Sequence, residues 1–177
     1  VHHTLISRIE DKGFTELTEV QEKTILPALL GKDIIASSKT GSGKTLAFLI
    51  PAVHRLLTQK ALSRQDPRIL ILAPTRELAK QVFGEAKWLC QKKNLATALI
   101  VGGDNYNDQT KALRRNPHII VGTPGRVADH LEDKSFFING LEMLIFDEAD
   151  RMLDLGFAQS LNMINRKADH RKRQTML

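Results

Sequence analysis

The chain has 177 residues, of which 42% are hydrophobic, 26% charged and 5% aromatic, and its formal net charge is +6. That is the size and apolar content of one globular domain with a core of its own, and it argues against a disordered or low-complexity chain. No apolar run reaches the roughly 20 residues that a membrane-spanning helix needs, and a single cysteine excludes an internal disulfide framework and a thiolate metal site.

In chain order, the opening "VHHTLISRIEDKG" lacks the basic, apolar and small-residue regions of a signal peptide. With so little cysteine, a reducing, intracellular (cytoplasmic) setting is expected. Thr18 and Gln21 of "TEVQ" stand three apart just before an apolar helix, which is the spacing of a capping box. A glutamine amide there also suits two hydrogen bonds to the edge of an adenine.

The first strand is expected at "DIIAS" (33–37), followed by the loop "SKTGSGKT" (38–45) and a helix over 46–57. Thr40, Gly41, Ser42 and Gly43 form a glycine-punctuated turn whose N–H groups can curl around an anion. The helix that follows adds the positive end of its dipole. Lys44 then reaches the β- and γ-phosphates of a nucleotide, and the Thr45 hydroxyl is a ligand for Mg²⁺. The full phosphate-loop pattern has glycine where this chain has Ser38; the substitution removes some backbone freedom at the entry and leaves the cradle itself intact. The bland alternative is a glycine-rich strand-to-helix turn with no ligand.

A second strand, "RILILA" (68–73), runs into "PTREL" and a helix over 76–92. Cys90 falls on the apolar spacing of that helix with Leu78, Val82, Ala86 and Leu89, so it reads as a buried small hydrophobe rather than a reactive thiol. "TALIV" (97–101) leads into "GGDN" and a helix over 105–115; "HIIVG" (118–122) leads into "TPGR" and a helix over 125–132; "MLIFD" (143–147) leads into "DEAD". These runs are apolar almost throughout, as in strands covered on both faces of a parallel sheet, and their alternation with helices gives an α/β layered domain. The basic run "RKADHRKR" (166–173) fits either a solvated face or a phosphate contact.

Each strand ends in a polar or glycine-containing junction. Because ligands bind outside the carboxyl ends of strands in open parallel sheets, all the junctions are expected along one edge. There Asp147 can hold Mg²⁺ while Glu148 polarises a water for attack on a γ-phosphate; the simpler alternative is an acidic turn capping the next helix. Arg76 and Arg126 both lie in the first turn of an expected helix, where a cation opposes the dipole at a cost of about 0.3–1 kcal/mol. Glu77 and Asp129 could offset that within each helix. An anion from outside would reverse the cost, and with "GG" at 102–103 allowing close backbone approach, a polynucleotide backbone is the natural second ligand.

"TEVQ", "SKTGSGKT", "PTRELA", "GG", "TPGR" and "DEAD", in this order and spacing, resemble the motifs of the DEAD-box RNA helicases, specifically their N-terminal RecA-like domain. "DEADRMLDLGF" and the closing "RQTML" extend the resemblance over nearly the whole chain. It implies a RecA-like P-loop NTPase fold with a mostly parallel sheet and helices on both faces, and an RNA-dependent ATPase that separates short duplexes locally. It implies ATP and Mg²⁺ as ligands: Phe14, Thr18 and Gln21 on adenine, residues 40–45 on the phosphates, Thr45 and Asp147 on the metal, and Glu148 as base for the attacking water. Pro74, Thr75, Arg76, Gly103, Thr123, Gly125 and Arg126 are implied as RNA-backbone contacts, and Asp150 as a coupling residue.

Two positions depart from the family: Ser38 replaces the usual alanine, and Leu17 the usual proline. The family's isolated upstream aromatic would fall before Val1, and its Ser-Ala-Thr motif just after Leu177. On this reading residues 1–177 are a single RecA-like ATP-binding domain cut before that motif, with the second RecA-like domain and its arginine fingers absent. Such a unit alone is expected to bind nucleotide weakly and hydrolyse it slowly. The alternatives are a DNA-directed translocase of the same superfamily, and an RNA clamp or scaffold whose grip ATP regulates.

Overall fold

The computed structural model describes residues 44–60, 67–91, 93–168 and 174–176. The expected strand at 33–37 and the residues Phe14, Thr18, Gln21, Ser38, Thr40, Gly41, Ser42 and Gly43 lie outside the described residues. Within them the chain runs α1 (Lys44–Thr58), β1 (Ile69–Leu72), α2 (Arg76–Cys90), β2 (Thr97–Ile100), α3 (Tyr106–Arg114), β3 (Ile119–Gly122), α4 (Pro124–Glu132), β4 (Met143–Phe146), α5 (Ala149–Asp154), α6 (Ala158–Lys167) and β5 (Gln174–Met176).

The described strands form one sheet in the order β2-β3-β1-β4-β5, and every pairing is parallel. Strand residues alternate between two cores, as the two-residue period of a pleated strand requires. Ile69, Ile71, Ile119, Val121, Met143 and Ile145 face α1 and α2 on one side. Leu70, Leu72, Ala98, Ile100, Ile120, Leu144 and Phe146 face the opposite side, with Leu113, Val127, Leu131, Met152 and Leu161 from α3 to α6. Both faces are covered, which is why β1, β3 and β4 are apolar at every position.

The helices expected from periodicity are present within a residue or two of their expected ends. α1 differs in one respect: Leu46 through Val53 are all buried, so its first turns pack on all sides instead of presenting one apolar stripe. Periodicity did not reveal α5 and α6. α5 is only 6 residues long and closes at Gly156, whose φ of +88° is the left-handed turn that ends many helices. β5 pairs with β4 with Gln174 opposite Met143, so "QTM" (174–176) joins the sheet beside the "DEAD" strand. Cys90 is buried, and burial pushes its thiol up to about 11, as befits a packing residue.

Gly122 ends β3 where two neighbours press closest. A Cβ there would lie 2.5 Å from the Ile100 carbonyl oxygen and 2.5 Å from Val127 Cγ2. The oxygen accepts the Thr123 N–H at 3.1 Å, so it cannot yield without loosening the junction that follows. Gly122→Ala is expected to cost about 1–3 kcal/mol, read as a lowered Tm. An unchanged Tm would mean that β2 and β3 can spread at no cost.

Candidate functional site

The register brings the strand ends level. Leu72 stands opposite both Gly122 and Phe146, and Gly122 opposite Ile100. The junctions 73–76, 101–104, 123–126 and 147–150 therefore leave the sheet side by side along its carboxyl edge, as expected from the sequence.

Asp147 extends β4 by one residue, its N–H donating to the Leu72 carbonyl at 2.8 Å. Its carboxylate is almost wholly buried, and Oδ1 lies 3.0 Å from Lys44 Nζ. Lys44 opens α1, so this ion pair joins the start of the helix after the glycine loop to the end of the "DEAD" strand. Thr45 is half-buried beside Lys44 in the first turn of α1. Glu148 follows Asp147 with φ 54° and ψ 55°, a left-handed conformation that costs a non-glycine residue about 1–2 kcal/mol. Although Glu148 sits at the N-cap of α5, its side chain makes no cap bond. The carboxylate lies 3.8 Å from Arg151 Nη1. The helix-capping alternative for this acidic turn is thus not what the side chain does. Asp150 is exposed in the first turn of α5.

The residues present fit a magnesium–nucleotide ligand. Mg²⁺ takes oxygen donors and is held by one or two protein groups together with substrate phosphates and water. A threonine hydroxyl and a carboxylate at one sheet edge are of that kind. Among the described residues no cluster of three His, Cys, Asp or Glu side chains offers a site built wholly from protein.

The two arginines converge on the β2–α3 loop. Arg76 Nη2 donates to Asp104 Oδ1 at 3.0 Å, and Lys80 Nζ lies 3.9 Å from the same oxygen. Arg126 Nη1 donates to the Asp104 carbonyl oxygen at 3.0 Å and to Gln109 Oε1 at 3.0 Å. The partners named from sequence, Glu77 and Asp129, take neither role. Gly103 has a φ of +86°, and a Cβ on it would run into the Arg76 guanidinium, so this glycine makes room for the arginine's path. Pro74 is buried at the turn. The Thr75 hydroxyl caps α2 by accepting the Leu78 N–H at 3.2 Å, whereas Thr123 at the N-cap of α4 makes no side-chain cap bond.

Gly125 has neither a positive φ nor a crowded surrounding. Among the described residues a Cβ there would meet only Phe157 Cε1 at 3.8 Å, an ordinary contact. Neither conformation nor packing among the described residues requires glycine at this position.

Sequence reasoning missed the polar cluster behind Arg126. The Tyr106 ring stacks on His130 with centroids 4.0 Å apart and planes 5° from parallel, and the Arg126 guanidinium carbon lies 5.5 Å from the Tyr106 centroid. Tyr106 donates its hydroxyl to Asp133. Burial, then the charge of Arg126, holds the His130 pKa below its ordinary value. The signal available was spacing: Tyr106 and Gln109 are three apart on α3, and Arg126 and His130 four apart on α4, so each pair shares a helix face.

With this geometry in place, the comparisons are consistent. The DEAD/DEAH box helicase family matches residues 18–177, and the chain belongs to that family. Among curated relatives it is 42% identical over 169 residues to the ATP-dependent RNA helicase HAS1 of Candida albicans, covering 96% of this chain and 30% of that one. It is 45% identical over 178 residues to the human ATP-dependent RNA helicase DDX18, covering 100% of this chain and 26% of the relative. Among solved structures, the RNA helicase Prp28 of Chaetomium thermophilum bound to ADP matches with a TM-score of 0.89 and 37% identity, over 100% of this chain and 43% of that one. The chain therefore spans less than a third of these two curated relatives, and its sheet and helices are those of a RecA-like helicase domain.

Proposed function

We propose that this unit binds ATP with Mg²⁺ at the Lys44–Asp147 end of the sheet edge and single-stranded RNA along the Arg76–Arg126 end. In the intact protein, hydrolysis of the ATP would drive local separation of RNA strands. The observation that carries the reading is the 3.0 Å contact between Lys44 and Asp147, made on the same edge from which the two arginine junctions emerge.

The residues act as follows. Without nucleotide, Lys44 neutralises the buried Asp147 carboxylate. Phosphates arriving at the start of α1 offer the ammonium a stronger partner, and Thr45 and Asp147 would then share a magnesium ion, which neutralises phosphate charge. Glu148, adjacent and more exposed than Asp147, accepts the proton of the attacking water. Phe14, Thr18 and Gln21 would hold the adenine, and Thr40, Gly41, Ser42 and Gly43 the phosphates. Asp150 would answer to the RNA-bound state. Pro74, Thr75, Arg76, Gly103, Thr123, Gly125 and Arg126 would line the RNA backbone, and the open surroundings of Gly125 among the described residues leave room for close approach of that backbone. A second RecA-like unit would supply the remaining groups around the γ-phosphate, and a cytoplasmic location accompanies the reading.

The test is ATP turnover by the intact protein with single-stranded RNA and with DNA of the same sequence. RNA is expected to stimulate turnover and DNA not; equal stimulation would favour the DNA-directed translocase. Lys44→Gln should abolish turnover. Gly125→Ala should leave Tm unchanged or slightly raised, since alanine suits a helix better by up to about 1 kcal/mol, yet should reduce RNA stimulation. Full stimulation in that variant would remove Gly125 from the RNA path.

A further inference from the structure

We propose that Gln109 is a positioning residue for Arg126, holding its guanidinium at the sheet edge while leaving its charge uncompensated for a nucleic-acid phosphate. This deepens the RNA-path reading and rests on it.

Arg76 and Arg126 are held differently. Arg76 faces the carboxylate of Asp104, so its charge already has a counter-ion. Arg126 is held by two neutral oxygens, the Gln109 amide and the Asp104 carbonyl. Both bonds leave from Nη1, which keeps Nε and Nη2 of the fork for a further acceptor. A neutral clamp fixes direction without spending charge. Tyr106, against which the guanidinium lies, adds restraint and no negative charge.

The clamp is itself rigid. Gln109 is 5% exposed, and its Nε2 donates to the Val101 carbonyl at 2.8 Å. Oε1 accepts from Arg126 and, at 2.9 Å, from His130 Nε2. Turning the amide over would set its NH₂ against the arginine donor and its oxygen against the Val101 carbonyl, so only one orientation satisfies all three partners. With Oε1 as acceptor, His130 carries its proton on Nε2, and Nδ1 accepts from the Ser135 hydroxyl at 3.1 Å. His130 is fully buried and stacked on Tyr106, so the ring is fixed as well. The alternative is that Gln109 serves only to tie α3 to β2 and α4.

The two roles separate in a variant cycle read by binding of a single-stranded oligouridylate to the intact protein, with a non-hydrolysable ATP analogue, over a salt series. Arg126→Ala is expected to weaken binding about tenfold, as for one charge-assisted contact. It should also flatten the salt dependence by about 0.7, the loss of one phosphate contact on a single strand. Gln109→Met, which keeps length and volume, should produce most of the same loss and the same flattening. The double variant should be no weaker than Arg126→Ala alone.

Losses that multiply in the double variant would overturn the proposal, as would unchanged binding by Gln109→Met when Arg126→Ala weakens it. If Arg126→Ala itself changes nothing, the RNA-path reading falls and takes this proposal with it. Should Gln109→Met fail to fold, Arg126→Lys carries the test. A lysine supplies the charge without the fork and is expected to bind as poorly as alanine; full affinity would show that positioning is unnecessary.

Discussion

Replacing Glu148 by glycine is expected to make the folded protein slightly more stable and nearly inactive. The residue's φ of 54° and ψ of 55° are left-handed, and an L side chain there costs about 1–2 kcal/mol. Glycine removes that cost but adds about 0.5–1 kcal/mol of backbone entropy to the unfolded chain, so a small net gain remains. No cap bond is lost, because the Glu148 side chain makes none. Its 3.8 Å approach to an exposed Arg151 contributes little at the surface. Turnover of ATP should fall about 10²–10⁴-fold through loss of the base. Glu148→Ala is the control: it removes the same carboxylate without relieving the backbone, so its activity should be as low and its Tm no higher than that of the parent. A glycine variant less stable than the alanine variant would show that the turn is not strained. Retained turnover in both would place the base elsewhere.

The second large effect lies at the opposite end of the sheet. Glu142, immediately before β4, is fully buried and accepts two bonds from Arg68, Nε to Oε2 at 2.6 Å and Nη2 to Oε1 at 3.0 Å. Arg55, from the last turn of α1, adds a third at 3.0 Å. The main chain repeats the tie, since the Arg68 carbonyl accepts the N–H groups of Glu142 at 2.8 Å and Met143 at 3.1 Å. Glu142→Leu is expected to destabilise the protein by about 3–5 kcal/mol, because it strands the buried Arg68 guanidinium without a counter-charge. That is a large part of the ~5–15 kcal/mol by which a domain is stable. Replacing both, as Arg68→Met with Glu142→Leu, should recover much of the loss, since the most buried guanidinium goes with its partner and only Arg55, at the helix end, loses its counter-charge. Urea unfolding of the single and double variants measures this. A double variant no more stable than the single would mean that the acid supports the fold by some route other than charge compensation.

Much of the architecture was legible from short-range pattern. Apolar runs such as "RILILA" and "MLIFD" announced strands buried on two faces, and the spacing from Leu78 to Cys90 announced a helix with one buried side. Polar and glycine junctions after each strand were expected along one carboxyl edge, and the parallel register brings the four described junctions level there. The family assignment was equally legible, because motif order survives in the linear chain. α5 escaped because 6 residues span less than two helical turns, too few for a period to show.

By itself, then, the sequence determined the strands β1 to β4 and the helices α1 to α4, and that Lys44 and Asp147 belong to one edge. The tertiary structure alone decided who pairs with whom. Arg76 meets Asp104 rather than Glu77, and Arg126 meets Gln109 rather than Asp129. Glu142 finds two arginines 74 and 87 positions earlier in the chain. The reason is physical: a repeat of two or 3.6 residues records the local backbone and the side that water leaves, whereas an ion pair depends on distance across strands whose order in the sheet no local pattern carries.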